Sequence, residues 1–215
     1  MKKFDHWFFP DHEKHLIENM RAVNKRVDGR LAYQYKKFEA AFERCNKFEV
    51  AIDVGAHVGL FSYWAAKKFD RVVAFEPVAA HRECFKKNVE ADNVELFDCA
   101  LGAAEGTVSI DTTEGSSGDS KVGTAVGDIP MRTLDSFNLQ KVDFIKADCE
   151  GFEENVFLGA GETIRKWKPV IIVEQKRLMA TRFGLQPLGA VKLLQKMGYA
   201  IAQEISGDFI LVPPK

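Results

Sequence analysis

From residue 49 onward, short β-branched and apolar runs alternate with helical stretches, and several runs close on an acid: Glu49-Val-Ala-Ile-Asp53, Arg71-Val-Val-Ala-Phe-Glu76 and Val170-Ile-Ile-Val-Glu174. A parallel strand pair needs a crossover long enough to hold a helix, so this alternation predicts a mostly parallel sheet with helices on both faces. Strands are expected at 49–54, 71–76, 94–97, 142–147 and 169–174, followed by a pair at 199–204 and 208–212. Helices are expected between them at 59–68, 78–91, 152–158 and 187–197. Only Ile205-Ser-Gly207 joins the last two strands, a hairpin-sized link, so the final strand must run antiparallel. The fold class is therefore α/β, a doubly wound sheet with an antiparallel last strand.

Residues 1–48 read differently, as an N-terminal helical extension in front of one domain over 49–215. Two helices are expected, at 11–27 and 30–48, with Asp28-Gly29 as the break and Asp11 as a cap. Eleven Lys and Arg face seven Asp and Glu here, a balance of +4 that the chain total of −1 conceals. Such charge suits either a solvated helical face or an arm that steers an anionic acceptor. Aromatics Phe4, Trp7, Phe8, Phe9, Tyr33, Tyr35 and Phe38 are interleaved with it. They fit a nucleic-acid surface, helix packing or a homodimer contact. No apolar run approaches the ~20 residues of a membrane span, and the first residues lack a signal-type segment, so a cytoplasmic location is expected. Cys45, Cys84, Cys99 and Cys149 form no CxxC pair and read as reduced thiols. The Gly- and Ser-rich stretch 112–127, flanked by short strands near 107–111 and 129–132, reads as a lid or acceptor loop, or as a plain linker.

In an open α/β sheet, ligands sit beyond the carboxyl ends of the strands. That rule selects Asp53-Val-Gly-Ala-His-Val-Gly59, Glu76, Asp98 with Cys99 and Ala100, Asp148 with Glu150, and Glu174. Gly55 and Gly59 allow a tight turn and a close approach to a ligand, while Glu76 at the next strand end suits a ribose diol. Asp53 would repel the pyrophosphate of a dinucleotide but attract the ammonium and sulfonium of S-adenosylmethionine. Asp148 is placed to hold the amino end of that cofactor, and Glu150, or else Glu174, to deprotonate an acceptor hydroxyl. Helix-dipole charge at Glu150, Glu153 and Glu154, and an ion pair of Glu174 with Lys176 or Arg177, are the plainer alternatives. His57 belongs to the glycine turn either as a packing residue or as a base. A metal held by His57, Asp148, Glu150 and Glu174 has no compact ligand spacing behind it, so none is expected.

These segments carry a family resemblance. Asp53-Val-Gly-Ala-His-Val-Gly59, Phe75-Glu-Pro77 with Asn88, Ala100-Leu-Gly102, Arg132-Thr-Leu-Asp135 and Lys146-Ala-Asp-Cys-Glu-Gly-Phe-Glu153 occur in the order seen in FkbM-type methyltransferases. Over about residues 48–176 the chain resembles that family, which implies a class I methyltransferase-like, Rossmann-like sheet. The resemblance also implies use of S-adenosylmethionine to methylate hydroxyls of saccharides and other small metabolites. By it, Asp53, Gly55 and Gly59 line the methionine part, Glu76 the ribose, Asp98 to Ala100 the adenine, and Asp148 and Glu150 the transferring methyl; His57, in the same turn, is expected among the cofactor-binding residues. Two positions depart: His57 stands where Asn is common, and Val173-Glu-Gln175 lacks the His that often follows that Glu.

Three rivals share parts of this pattern. A nucleic-acid methyltransferase would use the basic front segment, but Asp148-Cys-Glu-Gly151 is not the Asp/Asn-Pro-Pro-aromatic turn of exocyclic-amine methylases. A nicotinamide-dependent oxidoreductase shares the Gly-rich turn and the distant acid, but the chain lacks G-x-G-x-x-G at that turn. A non-catalytic cofactor-binding domain would keep the same fold.

Overall fold

The computed structural model describes every residue except Thr124, Val126, Arg177 and Lys215. Its central sheet has seven strands: β1 Val50–Val54, β2 Arg71–Phe75, β3 Val94–Phe97, β4 Val142–Ala147, β5 Val170–Glu174, β6 Ala200–Ile205 and β7 Asp208–Val212. Their order is β6-β7-β5-β4-β1-β2-β3. Strands β1 to β5 pair in parallel, whereas β7 is antiparallel to both β5 and β6. The chain end thus slots its last strand between two earlier ones. Ser206 and Gly207 make the hairpin turn, both with left-handed backbone, φ 53° and 87°.

Successive side chains of a strand face opposite ways, and β1 shows how the core divides. Val50, Ile52 and Val54 pack with Val73, Ile145, Ile171 and the helical residues Val156, Ile164 and Leu194. Ala51 turns the other way, into a second cluster with Val72, Phe144, Ile172 and Ile210. Helices α5 Glu153–Leu158, α6 Gly161–Trp167 and α7 Gly189–Lys196 supply the first face. Helices α1 His15–Val23, α2 Tyr35–Phe42 and α3 Leu60–Ala65 supply the second. Helix α4 Ala79–Asn88 follows β2. α6 is the helix the sequence reading left unassigned; Asp135, far away in sequence, accepts hydrogen bonds from the Glu162 and Thr163 amides at its start.

The front segment is less helical than expected. Instead of helices at 11–27 and 30–48, it holds α1, α2 and two hairpins, Lys2–Phe4 with Trp7–Phe9 and Arg26–Val27 with Arg30–Leu31. Asp28-Gly29 is therefore a hairpin turn and not a break between helices; both residues have positive φ, 48° and 77°. Asp11 does not cap α1: it binds the terminal ammonium of Met1 at 2.5 Å. Buried Glu13 serves the helix start, accepting from the Leu16 amide at 2.6 Å. Several of the front cations are engaged within the fold. Arg30 lies over Trp7 and Tyr63, Arg26 bonds Asp5, and Lys37 pairs with buried Asp208.

Within 112–127, part of which lies outside the described residues, the structure builds a hairpin of Ile110–Thr113 with Ser116–Val122. A small separate sheet of Ala100–Leu101, Gly106–Val108 and Ile129–Arg132 supports its base. No helix among the described residues is long and apolar enough to cross a membrane.

Candidate active site

The β1 strand ends in a turn that only glycine can make at Gly55. Its φ is +74°, and a Cβ there would collide with the carbonyl oxygen of Asp148. That close approach locks the end of β1 to the end of β4. His57, next in the turn, also takes a left-handed backbone at φ 51°. Glu76, at the end of β2, reaches back across the turn. Its Oε2 accepts from the His57 amide and its Oε1 from the Val78 amide, both at 2.8 Å. His81 Nδ1 stands 3.2 Å from Oε1. With two donors on Oε1 and one on Oε2, Oε2 keeps a further lone pair for a ligand.

Two adjoining depressions open at these strand ends. The first, about 600 Å³, is walled by Phe75, Glu76, Pro77, Val78, His81, Cys99, Ala100, Leu101 and the hairpin residues Ser117 to Val122 except Asp119. The second, about 820 Å³, is walled by Tyr33, Gln34, Phe38, Lys146, Glu174 and Lys176, among others. Gly55, His57, Gly118, Asp148 and Glu150 border both. The structure thus brings Gly55, His57, Glu76, Ala100, Asp148, Glu150 and Glu174 to one continuous cleft. Three expected residues stand off it. Asp98 is exposed, and its neighbours Cys99 and Ala100 form the wall instead. Gly59 lies at the start of α3, against Val89 and Phe85. Asp53 is wholly buried behind the turn, with Oδ2 accepting from Ser62 Oγ at 2.7 Å and Oδ1 at 3.2 Å from Lys146 Nζ.

Lys146 is the residue whose importance the motif understated. Its ammonium donates to the Gly55 carbonyl at 2.9 Å and stands 3.9 Å from Asp148. Burial lowers its pKa, but the charges of Asp53 and Asp148 outweigh that and raise it overall. Burial in turn raises the Asp53 carboxyl, against the pull of Lys146. The pair turns a buried acid and a buried base into a brace under the glycine turn.

Glu150 also takes the left-handed backbone, φ 53°. It is only 7% exposed, and its Oε2 has no hydrogen-bond partner. Burial, and then the charge of Asp148, push its carboxyl up to about 7. Glu174 is raised by burial and by Asp148, with Lys176 at 2.8 Å pulling the other way. Arg177, the other partner considered for it, lies outside the described residues. Oxygens of Asp148, Glu150 and Glu174 lie within 4.8 Å of one another, so the ends of β4 and β5 gather three carboxylates. His57 is not among them. Glu153 plays a structural part: Oε1 accepts from the Cys149 and Gly151 amides at 2.8 and 3.0 Å, and Oε2 from Gln175 Nε2 at 2.9 Å.

His57 faces the hairpin. Its Nε2 lies 2.7 Å from Ser117 Oγ, which itself donates to Glu13 Oε2 at 2.5 Å. Since the hydroxyl proton goes to Glu13, His57 is the donor to Ser117. Burial first, then the neighbouring His81, holds its pKa well below 6.5, so the ring is neutral. Glu13, Ser117 and His81 had no local signal in the sequence, because their partners lie far along the chain.

Comparison with known proteins agrees with this architecture. A methyltransferase FkbM protein from Methylobacillus flagellatus superposes with a TM-score of 0.51 at 20% identity, covering 76% of this chain and 43% of its own. A Streptococcus mutans protein, solved in complex with S-adenosylhomocysteine, gives 0.52 at 9% identity, with 82% and 94% covered. "Methyltransferase 1" of Beauveria bassiana is 24% identical over 191 residues, 71% of this chain and 73% of that protein. Residues 53–201, most of the chain and all of the strand-end acids described above, match the methyltransferase FkbM domain, and the protein belongs to that family of methyltransferases.

Proposed function

We propose that the protein transfers the methyl group of S-adenosylmethionine to a hydroxyl of a saccharide or another small polar metabolite. The observation that carries this reading is the shared border of the two depressions. One is mostly apolar and ends at Glu76, as a nucleoside requires, and the other is rimmed by carboxylates. A dinucleotide pyrophosphate would meet Asp148 and Glu150, whereas a ligand bearing an ammonium and a sulfonium is attracted there. Glu76 would take the ribose hydroxyls, Cys99 to Leu101 the adenine, and Gly55 and Asp148 the methionine end. When bound, S-adenosylmethionine supplies an electrophilic methyl: the acceptor oxygen gains the new C–O bond and the sulfur leaves as a neutral thioether.

The chain's own task is alignment and proton removal. Glu150, with a carboxyl near pH 7, is suited to accept the hydroxyl proton at neutral pH. Glu153 holds the turn that presents it, Lys146 braces the facing glycine turn, and the hairpin and the front segment enclose the cleft. Replacing Glu150 by Gln should leave S-adenosylhomocysteine affinity in calorimetry within about twofold and lower turnover about 10²- to 10⁴-fold. Equal turnover in the variant would remove Glu150 from this role. The basic front segment carries less weight as a nucleic-acid surface, since Arg26, Arg30 and Lys37 are tied into the fold.

A further inference from the structure

The cleft holds more negative than positive charge. Asp119, Asp148, Glu150 and Glu174 line its second depression against Lys146 and Lys176. Lys146 lies against Asp53 and the Gly55 carbonyl, and Lys176 takes one oxygen of Glu174. Glu150 has neither. Its Oε2 is buried and unpartnered at the edge of the depression it shares with Asp148 and Glu174. An ionised oxygen withdrawn from water without a partner is costly, and a left-handed backbone that holds it there adds strain. Glu153 fixes that turn by accepting the Cys149 and Gly151 amides, so Glu150 cannot readily swing away.

We propose that Asp148, Glu150 and Glu174 bind one divalent, oxygen-seeking cation such as Mg²⁺ or Mn²⁺, with water completing its shell. Around such an ion, oxygens at about 2.1 Å stand at most about 4.2 Å apart. The three carboxylates, within 4.8 Å of one another, need only small side-chain adjustments to reach that geometry. All donors are hard oxygens, the ligand type that suits Mg²⁺ and Mn²⁺, and no thiolate or imidazole that would suit zinc or copper stands among the three. The residues come from the ends of two neighbouring parallel strands, which is why no ligand spacing along the chain announces them. The ion's catalytic use rests on the methyl-transfer reading: it would hold the acceptor oxygen, ease loss of its proton to the Glu150 oxygen that does not ligate the ion, and favour acceptors with two adjacent hydroxyls over isolated alcohols.

The test is Mn²⁺ titration of chelator-stripped, cofactor-free protein, followed by electron paramagnetic resonance and calorimetry. One Mn²⁺ per chain is expected, with affinity at least about tenfold weaker in Glu150→Gln. Lys176→Ala, which frees Glu174 from its competing ammonium, should bind Mn²⁺ more tightly than wild type. Absence of stoichiometric binding, unchanged affinity in Glu150→Gln, or no tightening in Lys176→Ala would each overturn the ion site. If the surplus charge serves only a cationic cofactor, cofactor-free protein will bind no ion. S-adenosylhomocysteine titrated into the same samples separates the two ideas. Its binding without Mn²⁺ removes the ion and keeps methyl transfer, while Glu150-dependent Mn²⁺ binding without it does the reverse.

Discussion

Glu150 and Lys146 show how single residues at this site trade stability for chemistry. Below its ordinary value of 4.5, Glu150 is protonated in both folded and unfolded chains. As pH rises the unfolded chain ionises first, so it binds fewer protons than the folded one, and folding stability falls from about pH 4.5 until the folded carboxyl ionises near 7. Glu150→Gln removes that loss. Thermal denaturation across pH 5 to 9 should show the variant gaining on wild type as pH rises, and parallel curves would contradict the assignment. Lys146 behaves in the opposite sense, because Lys146→Met leaves Asp53 buried without its counter-charge. We expect a loss of about 3–5 kcal/mol by denaturant unfolding, largely recovered when Asp53→Asn is added. Additive losses in the double variant would refute the coupling.

At the scale of elements, the strand ends were legible and the pieces that close over them were not. β1, β2 and β5 announced themselves as β-branched runs, and β4 through Phe144-Ile-Lys-Ala-Asp148, because burial on both faces leaves so little freedom of composition. The Gly55 turn, Glu76, Asp148 and Glu150 followed from the strand-end rule. The front hairpins escaped because their paired runs are two or three residues long, too short for a period to emerge. α6 escaped because its cap, Asp135, is 28 residues from Thr163. The same reason hid the latch between α1 and the 110–122 hairpin. There Glu13 Oε2 takes both the amide and the hydroxyl of Ser117, and the Gly115 carbonyl accepts the Lys14 and His15 amides. Glu13→Ala removes the acceptor for Ser117 and for the Leu16 amide at once, leaving buried donors at about 1–3 kcal/mol each. The hairpin should then exchange its amide hydrogens faster and S-adenosylhomocysteine should bind several-fold more weakly, with the β1–β4 amides unaffected. Uniform acceleration across the sheet would mean that Glu13 supports the whole fold and not the latch.

For the molecule as a whole, the question is whether residues 1–48 form a removable extension. They cover one face of the sheet. Trp7 and Phe9 are fully buried, and Phe42 meets Phe144 of β4 and Phe69 at ring distances of 5.2 and 5.5 Å. Asn88 of α4 bonds both the amide and the carbonyl of Phe8 while also holding the Val58 carbonyl, so it stitches the front hairpin to the loop below the glycine turn. Trp7, Phe9, Leu16, Ile17, Met20, Leu31, Phe38 and Phe42 all belong to the cluster that includes Ala51, Val72 and Ile172. At about 2 kcal/mol for each large apolar side chain, these eight bring roughly 16 kcal/mol of burial. A chain of residues 49–215 alone should therefore lack a cooperative thermal transition and bind a hydrophobic dye, through the exposed faces of Phe61, Trp64 and Phe144. Co-expression with a 1–48 fragment should restore both the transition and S-adenosylhomocysteine binding. A sharp transition in the 49–215 chain by itself would instead make the front segment a separable arm, free to serve an acceptor or a second copy of the chain.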